Sequence, residues 1–383
     1  MNNKITLTEH QNNILDGVLE AFKTNRYVVL SGSAGTGKTT VMKEFINRLG
    51  NNGVRYTLNA TTHEAARQLE EKTGKATSTI HSFHNLKPHY KRDGESTYLI
   101  RKGDTPNFNS INIVDEASMI GSDILKFIKE DMRGKYLFIG DEKQLPPVND
   151  PKEDGRYISP IFKQGYPTFT LKEIWRQGLE NDNIKLSMNL GFLKNKEDGD
   201  FYNWVHNSEV FNLISQGCTY ISFRNKVVDT INEEYRRYKG ITRPYMEGET
   251  IILQAPIGKL KNGERVKIYS IKQKTFKRFG VDIGCTEFNN QIRICTTKRG
   301  KLILKKRLSI LAGIRDWKNF YALKNSFTEV KHSYAMTIHK SQGSTFDNVI
   351  VNISDAEYCR DNTLKEKLLY TALTRTSNKN YLI

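Results

Sequence analysis

Cysteine is scarce in this chain: Cys218, Cys285, Cys295 and Cys359 are the four in 383 residues, and no two form a C-x-x-C pair. That scatter excludes a disulfide framework and a zinc-finger site, and fits reduced thiols of a cytosolic protein. Long apolar runs are missing as well. No window holds the roughly 18 apolar residues of a membrane-spanning helix. The start, Met1–Lys4, is polar and lacks the apolar core of a signal peptide. There is no internal repeat and no long low-complexity tract. Acidic residues fall short of basic ones, 42 against 59, for a formal charge of +17. A surplus of that size favours a polyanionic partner, although a basic protein that needs charge only for solubility would show it too. The length suffices for two or more domains with cores of their own.

What is present is sharper. Gly32, Ser33, Ala34, Gly35, Thr36, Gly37, Lys38 and Thr39 fit G-x-x-x-x-G-K-[ST], the Walker A loop. The apolar run Tyr27–Leu30 before it predicts a buried strand. Thr40–Gly50 after it predicts a helix that ends on glycine. Glycines let backbone N–H groups face a triphosphate, and the helix N-terminus adds its positive end. In that role Lys38 pairs with the β- and γ-phosphates and Thr39 holds Mg²⁺.

Strand and helix signals alternate through the first 170 residues or so, with strands expected at Tyr27–Leu30, Arg55–Leu58, Ile111–Val114 and Tyr136–Ile139. That pattern predicts a mostly parallel sheet covered by helices. Between Phe83 and Phe108 it breaks: His89–Arg92, an Asp93-Gly94 turn and Thr97–Arg101 predict a β-hairpin arm. A second α/β stretch begins near Thr170, with a strand at Thr219–Phe223 and a helix at Lys226–Tyr238. From Glu249 to Leu311 short β-rich runs take over, at Thr250–Gln254, Arg265–Ile271, Gln291–Cys295 and Leu302–Leu304. They predict a small, Lys- and Arg-rich antiparallel barrel inserted into the second domain. The α/β pattern resumes at Tyr334–His339 and closes at Tyr381–Ile383, so no nuclease or protease domain is expected behind it.

Ile111–Val114 ends in Asp115 and Glu116. Downstream of a Walker A loop, such a strand delivers Asp115 to the Mg²⁺ shell and Glu116 to the attacking water. Gly140, Asp141, Glu142, Lys143, Gln144, Leu145, Pro146 and Pro147 follow the next strand. Gln144 is placed to reach the γ-phosphate and orient water, or to serve as a turn residue before a rigid proline pair.

Walker A, Asp-Glu and G-D-x-x-Q-L-P-P, in that order, resemble the superfamily one DNA helicases. Further motifs agree. Thr8–Gln11 resembles the adenine-reading glutamine motif, and Gln11 equally suits a capping box with Thr8. Ala60–Ala66 and Thr79–Phe83 resemble the first two DNA-contact motifs. Leu171–Gln177 carries the arginine that opens the second motor domain in this family, Arg176. Tyr334–Thr345 is similar to the late motif that touches DNA and phosphate. Tyr370–Arg375 matches Y-x-A-x-T-R. The chain looks nearest to the RecD-like branch and its phage Dda-type members, although Leu311–Val330 is short where these carry a larger extension.

The resemblance implies an α/β fold of two RecA-like P-loop domains, with a β-hairpin inserted in the first and a small SH3-like β-barrel in the second. The first domain spans 1–170 with its arm at 84–108, the second 171–248 and 330–383, and the barrel 249–329. It implies ATP and Mg²⁺ as cofactors, with Gln11, the Walker residues Gly32 to Thr39, Thr40 and Gly343 around the nucleotide. Lys38, Glu116 and Gln144 would act with Arg176 and Arg375 as arginine fingers. DNA would meet Thr62, His63, Thr79, His81, Phe83, Lys87, His339, Lys340, Ser344 and Thr345. Tyr98, Ile100 and Tyr90 on the arm would form a strand-separating wedge, unless they pack the arm onto its own domain. Single-stranded and forked DNA are the implied partners, with a single-strand-binding protein or replication proteins beside them. The implied actor is a monomer in the cytoplasm, the host's if the chain is phage-encoded, moving 5′ to 3′. A DNA-stimulated ATPase that remodels protein–DNA complexes without separating strands fits the ATP motifs equally well. A P-loop kinase fits less well, since it would not need Arg375.

Overall fold

The computed structural model describes residues 7–90, 97–103, 109–147, 158–173, 187, 190 and 205–383. The chain divides into two compact units. One comprises Met1–Lys87, Leu99–Val227 and Met336–Ile383, the other Pro88–Tyr98 and Val228–Ala335.

The first unit contains a six-stranded sheet in the spatial order Thr77–Thr79, Tyr56–Ala60, Ile111–Asp115, Lys135–Gly140, Tyr27–Gly32, Thr168–Leu171. Every pairing in it is parallel. Parallel strands need both faces covered, and both are. On one side Leu15, Val18 and Phe22 of the helix Glu9–Thr24 and Val41, Met42 and Phe45 of the helix Lys38–Asn51 bury against Val28, Leu30 and Ile113. On the other, Ile124, Leu125 and Ile128 of the helix Ser122–Glu130 bury against Val29, Val114 and Phe138. The register sets Ala60 beside Asp115 and Ser31 beside Gly140. The carboxyl ends of these strands therefore lie together, where open α/β sheets place ligands.

The same unit holds most of a four-stranded sheet, in the order Ala335–Thr337, Thr219–Ser222, Phe346–Val351, Thr376–Leu382, with the last three parallel. Leu86–Tyr90 and Thr97–Arg101 pair as a separate two-stranded sheet. The expected Asp93-Gly94 turn between them lies outside the described residues. Leu99 packs against the first sheet's core, which leaves half-buried Ile100 on the opposite face.

The second unit contains two antiparallel three-stranded sheets, Arg265–Lys267, Thr250–Leu253, Val330–His332 and Ile271–Arg278, Val281–Phe288, Ile292–Ile294. Gly263 takes φ +81° in the turn that precedes Arg265–Lys267. The strand expected at Leu302–Leu304 is corrected: these residues lie in a helix, Lys298–Gly313, capped by Thr297 and followed by Trp317–Lys324. Ile303, Leu304 and Leu308 pack with Phe276, Ile283, Phe320 and Phe327, so this unit has a helix-on-sheet core beside the one around Ile251, Phe288 and Ile292.

Buried Asn232 closes the neck of this unit. Its Nδ2 donates to the carbonyls of Val228 at 3.0 Å and Ala335 at 3.2 Å, and its Oδ1 accepts from the Ala335 amide at 3.0 Å. Val228–Ala335 carries 23 Lys and Arg against 10 Asp and Glu, a surplus of 13 out of the chain's 17. No helix among the described residues is long and apolar enough to cross a membrane.

Candidate active site

The Walker loop bridges the strand Tyr27–Gly32 and the helix Lys38–Asn51. Gly37 holds φ +85°, and a Cβ there would lie 2.6 Å from Gln11 Nε2, so only glycine fits. Gln11 is buried, accepts from the Thr8 amide at 3.2 Å and so completes the capping box, while its amide nitrogen faces the loop. One residue thus meets both sequence readings. Lys38 Nζ folds back on the carbonyls of Gly32 at 2.6 Å and Ser33 at 3.0 Å, Thr39 is half-buried and Thr40 is exposed.

Asp115 and Glu116 stand at the carboxyl end of the neighbouring strand. Asp115 accepts from the Glu116 amide at 3.0 Å. Burial first, and the Glu116 carboxylate second, push the Asp115 carboxyl up to about 6. Glu116 has φ +54°, a left-handed conformation that costs a non-glycine residue about 1–3 kcal/mol and recurs at functional sites.

Gln144 links the two halves of the site. Oriented so that both ends of its amide are satisfied, its nitrogen donates to Glu116 Oε2 at 3.2 Å and its oxygen accepts from an Arg375 guanidinium nitrogen at 3.3 Å. Arg375 itself is buried. It donates to the carbonyls of Thr371 at 3.0 Å and Ser344 at 3.4 Å and to Thr374 Oγ1 at 3.2 Å. The helix Asn362–Leu373 before it docks on the loops of the first sheet. Leu145 N donates to Thr371 Oγ1 at 3.2 Å, and the Lys367 ammonium donates to the Glu142 carbonyl. Tyr370 donates to Asp141, and its oxygen accepts from the Ala34 amide at 3.0 Å. Arg176, the other expected arginine, lies outside the described residues.

Three of the expected DNA-contact segments share one local device, a threonine at the N-cap of a helix. Thr62 caps His63–Thr73, Thr79 caps Ile80–Phe83 and Thr337 caps Ile338–Ser341. The sequence repeats Thr-Ile-His at Thr79–His81 and Thr337–His339, once beside each parallel sheet. Burial pushes the imidazoles of His81 and His339 below the ordinary histidine value, so both are neutral near pH 7. His339 leans on Phe223, with ring centres 6.3 Å apart. His63 is half-buried, Phe83 packs edge-on to His84, Lys87, Lys340 and Thr345 are exposed, and Ser344 is buried.

Gly343 sits at φ +73° against the helix capped by Thr62: a Cβ would stand 2.9 Å from Ala65 Cβ and 3.2 Å from Thr62 Oγ1. With its amide likewise oriented, Gln68 of that helix donates to the Gly343 carbonyl at 3.3 Å and accepts from the Thr345 amide at 3.1 Å. Gln342 donates to the Leu145 carbonyl at 3.0 Å. Sequence reasoning assigned no role to Gln68, Asp141, Gln342, Tyr370 or Thr371. Three of them carried a signal as members of motifs: Asp141 in G-D-x-x-Q-L-P-P, Gln342 in Tyr334–Thr345 and Tyr370 as the first letter of Y-x-A-x-T-R. The side chains of Tyr90 and Tyr98 lie outside the described residues.

The chain is similar to known proteins along most of its length. A family model described as an AAA domain matches residues 6–203, and one described as a UvrD-like helicase C-terminal domain matches 332–383. The ATP-dependent DNA helicase dda of Enterobacteria phage T4 is 27% identical, over 96% of this chain and 97% of its own. The RecBCD enzyme subunit RecD of Buchnera aphidicola is 25% identical, over 92% of this chain and 69% of its own. Among solved structures, Bacteroides Pif1 bound to single-stranded DNA is 20% identical with a TM-score of 0.54, covering 99% of this chain and 92% of that one. A study of two Pif1 helicases coordinating at forked duplex DNA gives 19% and 0.57, covering 98% and 92%. At such identities the structures speak for the fold. The P-loop model covers more than half of its length, so the chain belongs to that AAA-domain family of P-loop ATPases; the helicase C-terminal model at its end and its relatives make it a superfamily one helicase.

Proposed function

We propose that this protein is an ATP-driven DNA helicase that moves along single-stranded DNA, 5′ to 3′, and separates the strands of a forked duplex. The observation that carries this reading is the chain Glu116–Gln144–Arg375, which wires the acid beside one parallel sheet to the cation beside the other.

In this reading the Walker amides and Lys38 hold the triphosphate, with Gln11 beside the base. Thr39 and Asp115 would hold Mg²⁺, which would neutralise phosphate charge. The site suits a cation, because a threonine hydroxyl and a carboxylate are the hard oxygen donors that Mg²⁺ takes. Glu116 spends one oxygen on Gln144 and keeps the other to take a proton from the attacking water. Arg375, with Arg176, brings positive charge to the γ-phosphate, a contribution worth about 10³ to 10⁵ in rate in comparable hydrolases. Loss of that phosphate changes what Arg375 and Gln144 can bond, and so changes the fit between the lobes.

Each lobe offers DNA a threonine-capped helix start with a neutral histidine: Thr62, His63, Thr79, His81, Phe83 and Lys87 on one, His339, Lys340, Ser344 and Thr345 on the other. Amides and hydroxyls grip phosphates, and rings stack on bases. Alternate gripping by the two lobes is translocation. A base-pair step costs about 1.4 kcal/mol to unstack, within reach of a wedge at Tyr98, Ile100 and Tyr90 on the arm. The assignment of 1–170, 171–248 with 330–383, and 249–329 as motor, motor and insert follows from the same reading, as does action as a monomer beside a single-strand-binding protein.

The deciding experiment pairs ATPase with and without single-stranded DNA with unwinding of 5′- and 3′-tailed duplexes. Stimulated hydrolysis with opening of the 5′-tailed substrate is expected. Stimulated hydrolysis that opens neither substrate would replace unwinding by remodelling of protein–DNA complexes.

A further inference from the structure

Tyr370 is buried, and its hydroxyl joins Asp141 to the Walker loop, where it meets both Ser33 and Ala34. It donates to Asp141, and it accepts from the amide of Ala34, inside the Walker loop, at 3.0 Å. Burial, then the charge of Asp141, push the phenol well above its ordinary value, so it stays protonated and can donate throughout the physiological range. Tyr370 stands five residues before Arg375. Its neighbour Thr371 accepts from Leu145 N through its hydroxyl, and from Arg375 Nε through its carbonyl. A single helical turn therefore touches the phosphate loop, the loop that carries Gln144, and the arginine.

We propose that Tyr370 is a positioning residue, whose hydroxyl fixes the phosphate loop relative to Arg375. The proposal rests on the reading of Arg375 as the group that acts on the nucleotide. Phenylalanine fills the same volume and keeps the apolar packing, so Tyr370→Phe removes the hydroxyl's bonds to Asp141 and the Walker loop and little else.

The test uses the full chain and has three readouts. Amide exchange at Ala34 in the nucleotide-free protein should speed up by about tenfold or more in Tyr370→Phe, since its acceptor is gone. The dissociation constant for a fluorescent ADP should stay within about threefold, while kcat with saturating single-stranded DNA falls about 10- to 100-fold. Added to Arg375→Ala, the change should cost no more than about twofold in kcat, because both act on one contact. Unchanged exchange at Ala34, or losses that multiply in the double variant, would overturn the proposal while leaving the reading of Arg375 intact. An Arg375→Ala enzyme with normal kcat overturns both. Should Tyr370→Phe lose its thermal transition, Asp141→Asn takes its place: the same pattern at smaller amplitude supports the proposal, and wild-type exchange and kcat refute it.

Discussion

Replacing Arg375 by alanine separates what the residue does for the fold from what it does for the reaction. The guanidinium meets Thr371 O at 3.0 Å, Thr374 Oγ1 at 3.2 Å and Ser344 O at 3.4 Å, all beside the second parallel sheet, and Gln144 at 3.3 Å beside the first. Losing the first three takes a donor from two carbonyls and from the Thr374 hydroxyl, at about 1–3 kcal/mol of stability. Losing the fourth unhooks Gln144, and with it the orientation of Glu116. If Arg375 also meets charge that develops on the γ-phosphate, the barrier rises by about 4–7 kcal/mol, which is 10³ to 10⁵ in rate. The assay is steady-state ATPase with saturating single-stranded DNA, beside fluorescent-ADP binding and thermal unfolding. We expect kcat to fall by about three orders of magnitude or more, with ADP affinity within about threefold, since ADP lacks the group that Arg375 addresses. Arg375→Lys keeps the charge without the planar fork and should stay about 100-fold impaired. A kcat within threefold of wild type, in a folded Arg375→Ala protein, would refute the reasoning.

Lys38→Ala removes the cation that caps the Gly32 and Ser33 carbonyls and should abolish hydrolysis while leaving affinity for single-stranded DNA within a few fold; filter binding beside an ATPase assay checks both. Gly343→Ala forces a side chain into a left-handed backbone and against Ala65, so calorimetry should find at least about 1–2 kcal/mol lost and a lower Tm. Single-strand affinity should fall with salt at a log–log slope of about −0.7 per phosphate contact, and a flat response would remove the electrostatic grip. The pair Tyr98→Ala with Ile100→Ala should spare DNA-stimulated ATPase and cut unwinding of a forked duplex. Unwinding at the wild-type rate would move the wedge off the arm, whereas loss of both activities would point to a folding defect.

The Walker loop was legible because local rules agree there: an apolar strand before it, glycines within it, an amphipathic helix after it. The capping box of Thr8 and Gln11 was legible for the same reason, since its partners are three residues apart. The helix Lys298–Gly313 was not. Leu302 and Ile310 are exposed apolar residues on its outer face, so they blur the helical period, and Leu302–Leu304 by itself looks like a short strand. Its signal was the cap, Thr297 accepting from Gly300 N. The partners of Tyr370 and Gln68 were out of reach altogether. Ala34 is 336 residues from Tyr370, and nothing local in a chain announces which distant amide a phenol will meet.

The closed neck at Asn232 bears on how such a chain can change over time. About a hundred residues leave and return through one side-chain amide that grips Val228 and Ala335 together. For a flexible loop, the entropy of closing such a neck grows only with the logarithm of what lies beyond it, about 0.6 kcal/mol for each doubling of length. Insertions, deletions or a wholesale exchange beyond Asn232 are therefore cheap for the parallel sheets, provided the new segment packs its own core, as this one does. Selection is free to reshape the basic appendage while the nucleotide machinery stays fixed, and drift in length should concentrate there.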